Sequence, residues 1–196
     1  MADFPSGRVW TLYQTVIWVC EITAKAWAGY QSRRGPYGAQ DREEASDGSV
    51  QAHLTRVDRA PDDPVRPEDD ALVDAFLAHQ HEMEPAVQLA VAGQHPGWRT
   101  ALGEDCCMDE EELEAAVPKL PSPEDLRALM GLLAVHLFDV VHDGKHYVGL
   151  EFGCAWEDEH GLGVLLHGTE VIALGHADCS FEESRVEAHV KGEPLD

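Results

Sequence analysis

The strand-like runs in the C-terminal third constrain the fold more than any other feature of this chain. They extend over about residues 132–175 and are separated by turn residues. Asp143-Gly144 is a strong hairpin signal, because both residue types tolerate the positive φ of a tight turn. A second turn is expected just after Trp156, where three acidic residues and a histidine precede Gly161. The pattern therefore predicts a C-terminal β-meander.

The first third of the chain predicts a second set of strands, over about residues 8–57. Trp18, Cys20 and Ile22 alternate with their neighbours, and this period of two indicates a strand with one buried face. The alternation restarts over residues 49–57, which predicts a further short strand.

Helices are predicted between these two strand sets. Apolar residues recur with helical spacing over about residues 67–92. Pro85 is expected to divide this segment in two, because proline removes a helical hydrogen bond and clashes with the preceding turn. Ser122 is a good N-cap for another short helix over about 122–130. This order of elements predicts a single α+β domain over residues 1–196, with an antiparallel sheet and the helices on one side.

The net charge restricts the possible partners. The chain has 37 Asp and Glu residues against 14 Lys and Arg residues, which gives a formal net charge of −23 at pH 7. Nucleic acids and anionic membranes bind to basic patches, and the sequence has no basic cluster beyond Arg33-Arg34. We therefore expect neither nucleic-acid nor membrane binding. A basic protein is the natural partner, unless the charge serves solubility alone.

Two acidic segments are the predicted contact regions, residues 104–114 and residues 157–159. The first is either a solvated loop or a short helix with Asp109 as its N-cap and Glu112 completing a capping box.

The cysteines and the apolar runs predict a cytoplasmic protein. Five cysteines are an odd number without the regular spacing of a disulfide framework, which is typical of reduced thiols. The first residues do not have the pattern of a secretory leader. The longest apolar runs are far shorter than the roughly 20 residues that span a bilayer.

The turn after Trp156 contains the residues best suited to chemistry. Glu157 or Glu159 can orient the imidazole of His160, which is the minimum for general base catalysis or for a metal ligand. A structural turn with a hydrogen bond between histidine and carboxylate explains the same residues. The catalytic alternative therefore consists of Glu157, Glu159 and His160.

A metal site is the second chemical alternative. The residues from 142 to 179 include six possible ligands, which are His142, His146, His160, His167, His176 and Cys179. Three or four of them that converge could bind zinc, and the alternative set consists of His142, His146 and His160. No His-Glu-x-x-His or Cys-x-x-Cys pattern places two ligands on one element. The prediction is therefore a protein without metal or other cofactor.

A basic and aromatic loop is the predicted recognition element of the N-terminal half. It extends over residues 30–38 and contains Arg33, Arg34 and Tyr37. Glycine and proline mark this segment as an exposed loop, and loops frequently carry binding residues.

Part of the C-terminal sequence resembles an uncharacterised bacterial domain-of-unknown-function family, the DUF6985-like group. The hallmark of that family is Cys-x-Trp, an acidic residue, any residue and then Glu-His-Gly-Leu-Gly. The residues of this chain that match it are Cys154, Trp156, Glu157, Glu159, His160, Gly161 and Gly163. The resemblance extends to residues 26–38 and 67–92, so it covers most of the chain.

The resemblance brings no established activity, but it implies a class of partner. Similar small acidic domains are frequent among bacterial immunity proteins of polymorphic toxin systems. This implies a non-enzymatic immunity or antitoxin protein that docks an acidic face on a basic toxin. The predicted binding residues are Arg33, Arg34, Tyr37, Trp156, Glu157, Asp158, Glu159 and His160. The alternative is a metal-dependent or His-carboxylate hydrolase that uses residues 156–163.

Overall fold

The computed structural model describes residues 4, 6–14, 17–31, 45–57, 59–120 and 122–195, except for the side chains of Ala116 and Asp158. The predicted binding residues Arg33, Arg34 and Tyr37 lie outside the described residues. The strands are β1 Thr11–Tyr13, β2 Ile17–Thr23, β3 Ser49–Thr55, β4 Met130–His142, β5 Lys145–Cys154, β6 Glu157–His167 and β7 Glu170–Gly175. The α-helices are α1 Pro67–Asp105, α2 Glu110–Ala116 and α3 Glu183–Lys191, and 3₁₀ helices cover Lys25–Trp27, Pro123–Ala128 and Ala177–Ser180.

The seven strands form one sheet in which spatial order follows chain order. Every neighbouring pair is antiparallel except β3 and β4, which run parallel. Parallel neighbours need a long crossover, and here α1 and α2 lie between the two strands in sequence. The predicted α+β class with its C-terminal β-meander is confirmed. The sheet differs from the prediction in this one parallel pair.

Helix α1 corrects the predicted break at Pro85. It continues for 39 residues with Pro85 and Pro96 inside it. Both prolines lie on the exposed side, so water can reach the carbonyl groups that lose a helical partner. An interior proline costs about 3 kcal/mol, whereas each fully buried Val or Phe contributes about 1.5–3 kcal/mol. The buried residues of α1, on both sides of Pro85, include Val73, Phe76, Val87 and Val91.

The N-cap of α2 and the composition of the helices bear on two further predictions. The first acidic segment covers the end of α1 and most of α2, and the N-cap of α2, Asp109, accepts hydrogen bonds from the backbone N–H groups of Glu111 and Glu112 at 2.9 and 3.0 Å. Of its two predicted forms, the capped helix is therefore correct. None of the described helices combines the length and the apolar composition that a bilayer crossing requires.

A buried group of charges fixes the crossover. Arg56, just after β3, lies 2.9 Å from a carboxylate oxygen of Asp69 in the first turn of α1. Arg59 pairs with Asp69 and also with Asp139 of β4, the latter at 3.0 Å. The side chains of Arg56 and Asp69 are each only 1% exposed. The end of β3 and the start of α1 are thus joined at one point to β4, which follows much later in the sequence.

The stability that this buried group of charges contributes depends on pH. Burial alone would raise the pKa of Asp69, but hydrogen bonds from Arg59, the Arg66 backbone and Arg56 outweigh it and lower the pKa. A carboxylate with a lowered pKa contributes stability that is complete above its unfolded-state pKa of about 3.9. That contribution is lost as the pH falls through the folded-state pKa.

We expect Asp69→Ala to lower the free energy of unfolding by up to about 3–5 kcal/mol, because the buried Arg56 loses its nearer carboxylate and retains Asp139 at 3.7 Å. Urea unfolding at pH 7 measures this change. The control is Glu68→Ala, which removes an exposed carboxylate 3.9 Å from Arg66 and should cost less than about 1 kcal/mol. Between pH 5 and pH 2, the wild type should lose more stability than Asp69→Ala. Equal losses in the two proteins would show that Asp69 does not carry this dependence.

Helices cover both faces of the sheet, which corrects the prediction of helices on one side. Helix α1 packs on the face that contains Val148, Leu150 and Phe152 of β5. Tyr147 alternates with these residues, and it belongs to a separate apolar cluster with Val186 of α3.

Glycines permit the close approach of the second helical layer. A Cβ atom on Gly149 would lie 1.6 Å from the backbone oxygen of Ser180, and one on Gly163 would lie 2.4 Å from the backbone oxygen of His176. Backbone atoms cannot move aside as flexible side chains do. The 3₁₀ helix Ala177–Ser180 therefore packs directly on β5 and β6.

We expect Gly149→Ala to lower the free energy of unfolding by at least about 3 kcal/mol, because the new methyl group overlaps the Ser180 backbone. Gly97→Ala is the matched control in α1, where nothing lies within 4 Å of the added Cβ. That substitution should stabilise the protein by up to about 1 kcal/mol. Urea unfolding of both variants measures the difference, and an unchanged midpoint for Gly149→Ala would refute the close approach.

Candidate functional site

The acidic residues after Trp156 lie in a strand and not in a turn, which corrects the prediction. The turn consists of Ala155 and Trp156, and β6 begins at Glu157. Cys154 pairs with Glu157, and Phe152 pairs with Leu162. Between these pairs β5 has only residue 153, whereas β6 has residues 158–161. The additional residues of β6 form an irregular bulge.

Glu157 holds this bulge together. One of its carboxylate oxygens, Oε1, accepts hydrogen bonds from the backbone N–H groups of Glu159 and His160, both at 3.0 Å. The same oxygen lies 3.3 Å from Nδ1 of His160. Gly161 follows with a φ of 64°, a conformation that favours glycine.

The electrostatics of Glu157 follow from these contacts. Partial burial would raise its pKa, but the hydrogen bonds from the backbone of His160 and Glu159, together with the His160 side chain, outweigh burial and lower the pKa. The carboxylate form is therefore favoured at neutral pH.

His176 completes a group of three side chains. It follows β7 and precedes the 3₁₀ helix Ala177–Ser180. Its Nε2 lies 3.9 Å from Oε2 of Glu157, and its ring stacks on that of His160 with centroids 4.8 Å apart. One potential ligand atom from each of the three residues lies within 4.8 Å of the other two.

The structure does not bring together the histidines of the predicted metal set. His142 pairs with Lys145 at the first residue of β5, whereas the His160 bulge adjoins the last residue of that strand. His142 instead lies near His167 and His189, with ring centroids 5.6 and 5.9 Å away. The catalytic set is partly assembled, because Glu157 contacts the ring of His160 while Glu159 contributes a backbone N–H.

Trp156, one of the predicted binding residues, is mainly buried in the core and also lines the cleft described below. It is 7% exposed and stacks on Trp98 of α1, with centroids 5.5 Å apart and an interplanar angle of 13°. His95 packs edge-on against the same ring at 5.3 Å. This stack joins the β5–β6 turn to the second half of α1.

A cleft lies where this half of α1 meets β6 and β7. Its volume is about 410 Å³. The lining residues include Leu102 and Asp105 of α1, Glu157 and Gly161 of β6, and His176. The cleft thus brings together the two predicted contact regions, because Asp105 belongs to residues 104–114 and Glu157 to residues 157–159.

In the sequence His176 was one of six possible metal ligands, but it was left out of the alternative set of His142, His146 and His160. Pairing of β6 with β7 places Gly163 opposite Gly175, so residue 176 falls beside residue 162. The glycine and threonine between the two strands were a usable hairpin signal. Extending the predicted hairpin by one residue would have placed His176 near the bulge.

These features define a class of protein, a small acidic α+β domain with a cleft at the edge of its helical layer. The chain belongs to the family described as Domain of unknown function (DUF6985), whose profile matches residues 20–181. The match includes both walls of the cleft. No curated protein and no solved structure is similar enough to the chain to match it.

We expect Trp156→Ala to lower the free energy of unfolding by about 3–5 kcal/mol, because it empties the space between β5, β6 and α1. His160→Ala, at a side chain that is 56% exposed, should change it by less than about 0.5 kcal/mol. Thermal and urea unfolding followed by circular dichroism measure both changes. A stable Trp156→Ala protein would contradict the core assignment and restore Trp156 as a surface residue.

Proposed function

We propose that the protein is a cytoplasmic, non-enzymatic binding module of the immunity or antitoxin kind. It docks its acidic cleft on a basic protein, such as a toxin, and thereby blocks the active site of that protein. The observation that carries this proposal is that Asp105 and Glu157, one from each of two acidic segments separated by more than 40 residues of sequence, line one cleft.

Charge at the cleft favours a basic partner. Arg99 neutralises part of the negative charge of α2, because its guanidinium group lies 3.0 and 2.8 Å from the carboxylate oxygens of Glu110 and Glu114. The exposed carboxylates of Glu104, Asp105 and Glu111 have no ion pair among the described residues. They are available to cations from another molecule, and their charge adds to a net charge of −23.

The same charge distribution determines the kinetics of binding. An acidic surface attracts a basic protein before contact and raises the association rate, and salt screens this attraction. Dissociation depends mainly on the groups in direct contact. The association rate should therefore decrease steeply with ionic strength.

The direct test is capture of partners by cross-linking from a bacterial lysate, with mass spectrometry to identify them. We expect a basic protein that binds the wild type about tenfold more tightly than the triple variant Glu104→Gln, Asp105→Asn, Glu111→Gln, since each neutralised exposed carboxylate in or near the cleft wall at Asp105 costs up to about 1 kcal/mol. The matched control removes three exposed carboxylates elsewhere, through Glu68→Gln, Glu170→Gln and Glu193→Gln. Equal binding by the two triple variants would contradict docking at the cleft.

A second candidate function is a His-carboxylate hydrolase at the same place. The contact of 3.3 Å between Glu157 and the ring of His160, beside a cleft, favours it. Hydrolysis of a panel of ester and phosphoester substrates tests this candidate. Turnover that disappears in His160→Ala would support the hydrolase, whereas absence of turnover with retained capture of a basic protein would support the binding module.

A further inference from the structure

We propose that Glu157, His160 and His176 bind one divalent transition-metal ion of the Zn²⁺ type. This inference does not depend on the docking of a protein partner, because it rests on the geometry of three side chains. The set differs from the alternative of His142, His146 and His160, because the folded arrangement of β6 and β7 places His176 beside His160 and Glu157.

The distances suit such an ion. Zinc lies about 2.0–2.1 Å from histidine nitrogen and about 2.0–2.2 Å from carboxylate oxygen, so two ligands of a tetrahedral ion are about 3.3–3.4 Å apart. Glu157 Oε1 and His160 Nδ1 already have that spacing, at 3.3 Å. Glu157 Oε2 and His176 Nε2 are 3.9 Å apart. The ligand atoms of all three residues lie within 4.8 Å of one another, so binding would draw the wider pairs together by side-chain rotation.

The donor set selects the type of ion. Two imidazole nitrogens and one carboxylate suit zinc and its neighbours in the transition series, whereas magnesium and calcium prefer oxygen ligands alone. The same combination of two histidines and one acid occurs at zinc sites with an open position. We therefore expect Zn²⁺, Co²⁺ or Ni²⁺ to bind, and Mg²⁺ to bind much more weakly.

The carboxylate is held in place before any ion arrives. The backbone N–H groups of Glu159 and His160 bond to Oε1 of Glu157 and fix the plane of the group. Hydrogen bonds of this kind orient metal ligands and strengthen metal binding. Oε2 is directed at His176, so the bulge of β6 positions two of the three ligands.

His176 is held by the glycine contact described above. The absence of a side chain at Gly163 lets the backbone of His176 approach β6. An ion on the three side chains would therefore link the bulge to the junction of β7 with the 3₁₀ helix Ala177–Ser180. Glu157 and His176 also line the cleft, so a fourth coordination position faces its interior. Water or a donor group from a bound molecule would occupy that position.

The test is calorimetric titration of chelator-treated protein with ZnCl₂ in a phosphate-free buffer at pH 7.5. We expect one Zn²⁺ per chain and at least tenfold weaker binding in His160→Ala and in His176→Ala. Both side chains are exposed, at 56% and 61%, so these variants should fold normally. The Co²⁺ form should show visible absorption typical of tetrahedral coordination, and MgCl₂ should produce no comparable heat.

The chain offers a close control for a chance pairing of histidine and glutamate. His79 Nδ1 lies 3.3 Å from Glu82 on the exposed side of α1, the same spacing as His160 and Glu157, and the His79 side chain is also 56% exposed. His79→Ala should bind Zn²⁺ as the wild type does. Glu157→Gln keeps an acceptor for the bulge and should lose zinc affinity while its circular dichroism spectrum stays unchanged.

Three results would overturn the site. They are no stoichiometric zinc in the wild type, unchanged affinity in His160→Ala and His176→Ala, or an equal loss in His79→Ala. The titration contains no protein partner, so its failure would leave docking at the cleft unaffected. Conversely, failure of the docking experiment would not alter the zinc result.

Discussion

The position of α1 depends on the ion pairs at its first turn. Asp69 binds Arg56 and Arg59 beyond the end of β3, while the adjacent Asp70 accepts a hydrogen bond from the indole of Trp10 at 2.9 Å. A helix of 39 residues is about 58 Å long, so a small rotation at its start moves its other end by several ångströms. That far end carries one wall of the cleft. The charges at the first turn of α1 therefore set the direction of the helix, and the stack of Trp98 on Trp156 fixes its second half against the β5–β6 turn.

The second wall depends on an irregular strand. A regular hairpin would send alternate residues after Trp156 to opposite faces of the sheet. The bulge in β6 changes this direction, because the carboxylate of Glu157 bonds to two backbone N–H groups within the same strand. His160 is thereby placed beside Glu157 and opposite His176. Gly163 then allows the next layer to approach closely enough for contact.

The parts of the fold that local chemistry determines could be predicted from sequence. The spacing of Asp109 and Glu112 indicated the cap of α2, and Asp143-Gly144 indicated the β4–β5 hairpin. Continuation of α1 through Pro85 could not be predicted, because burial against a sheet formed by distant residues outweighs the local cost of proline. The parallel pairing of β3 with β4 is likewise set by that long helix.

Only part of the candidate site could be predicted from sequence, because the rest depends on contacts between distant residues. Glu157 and His160 are neighbours in sequence, and their types alone suggested a contact. His176 reaches them through strand pairing and the close approach at Gly163, and the metal set drawn from sequence used His142 and His146 instead. Those two histidines adjoin the opposite end of β5. The length of β5 therefore separates His142 and His146 from His160, although the three histidines looked equally suitable in the sequence.

The central claim is that the cleft between α1 and β6 is the surface that meets a partner. Hydrogen–deuterium exchange of the protein, alone and in complex with a captured basic protein, tests this claim most directly. We expect residues 104–114 and 157–163 to become protected together, while α3 exchanges at an unchanged rate. Protection confined to α3, or to only one of the two acidic segments, would contradict it.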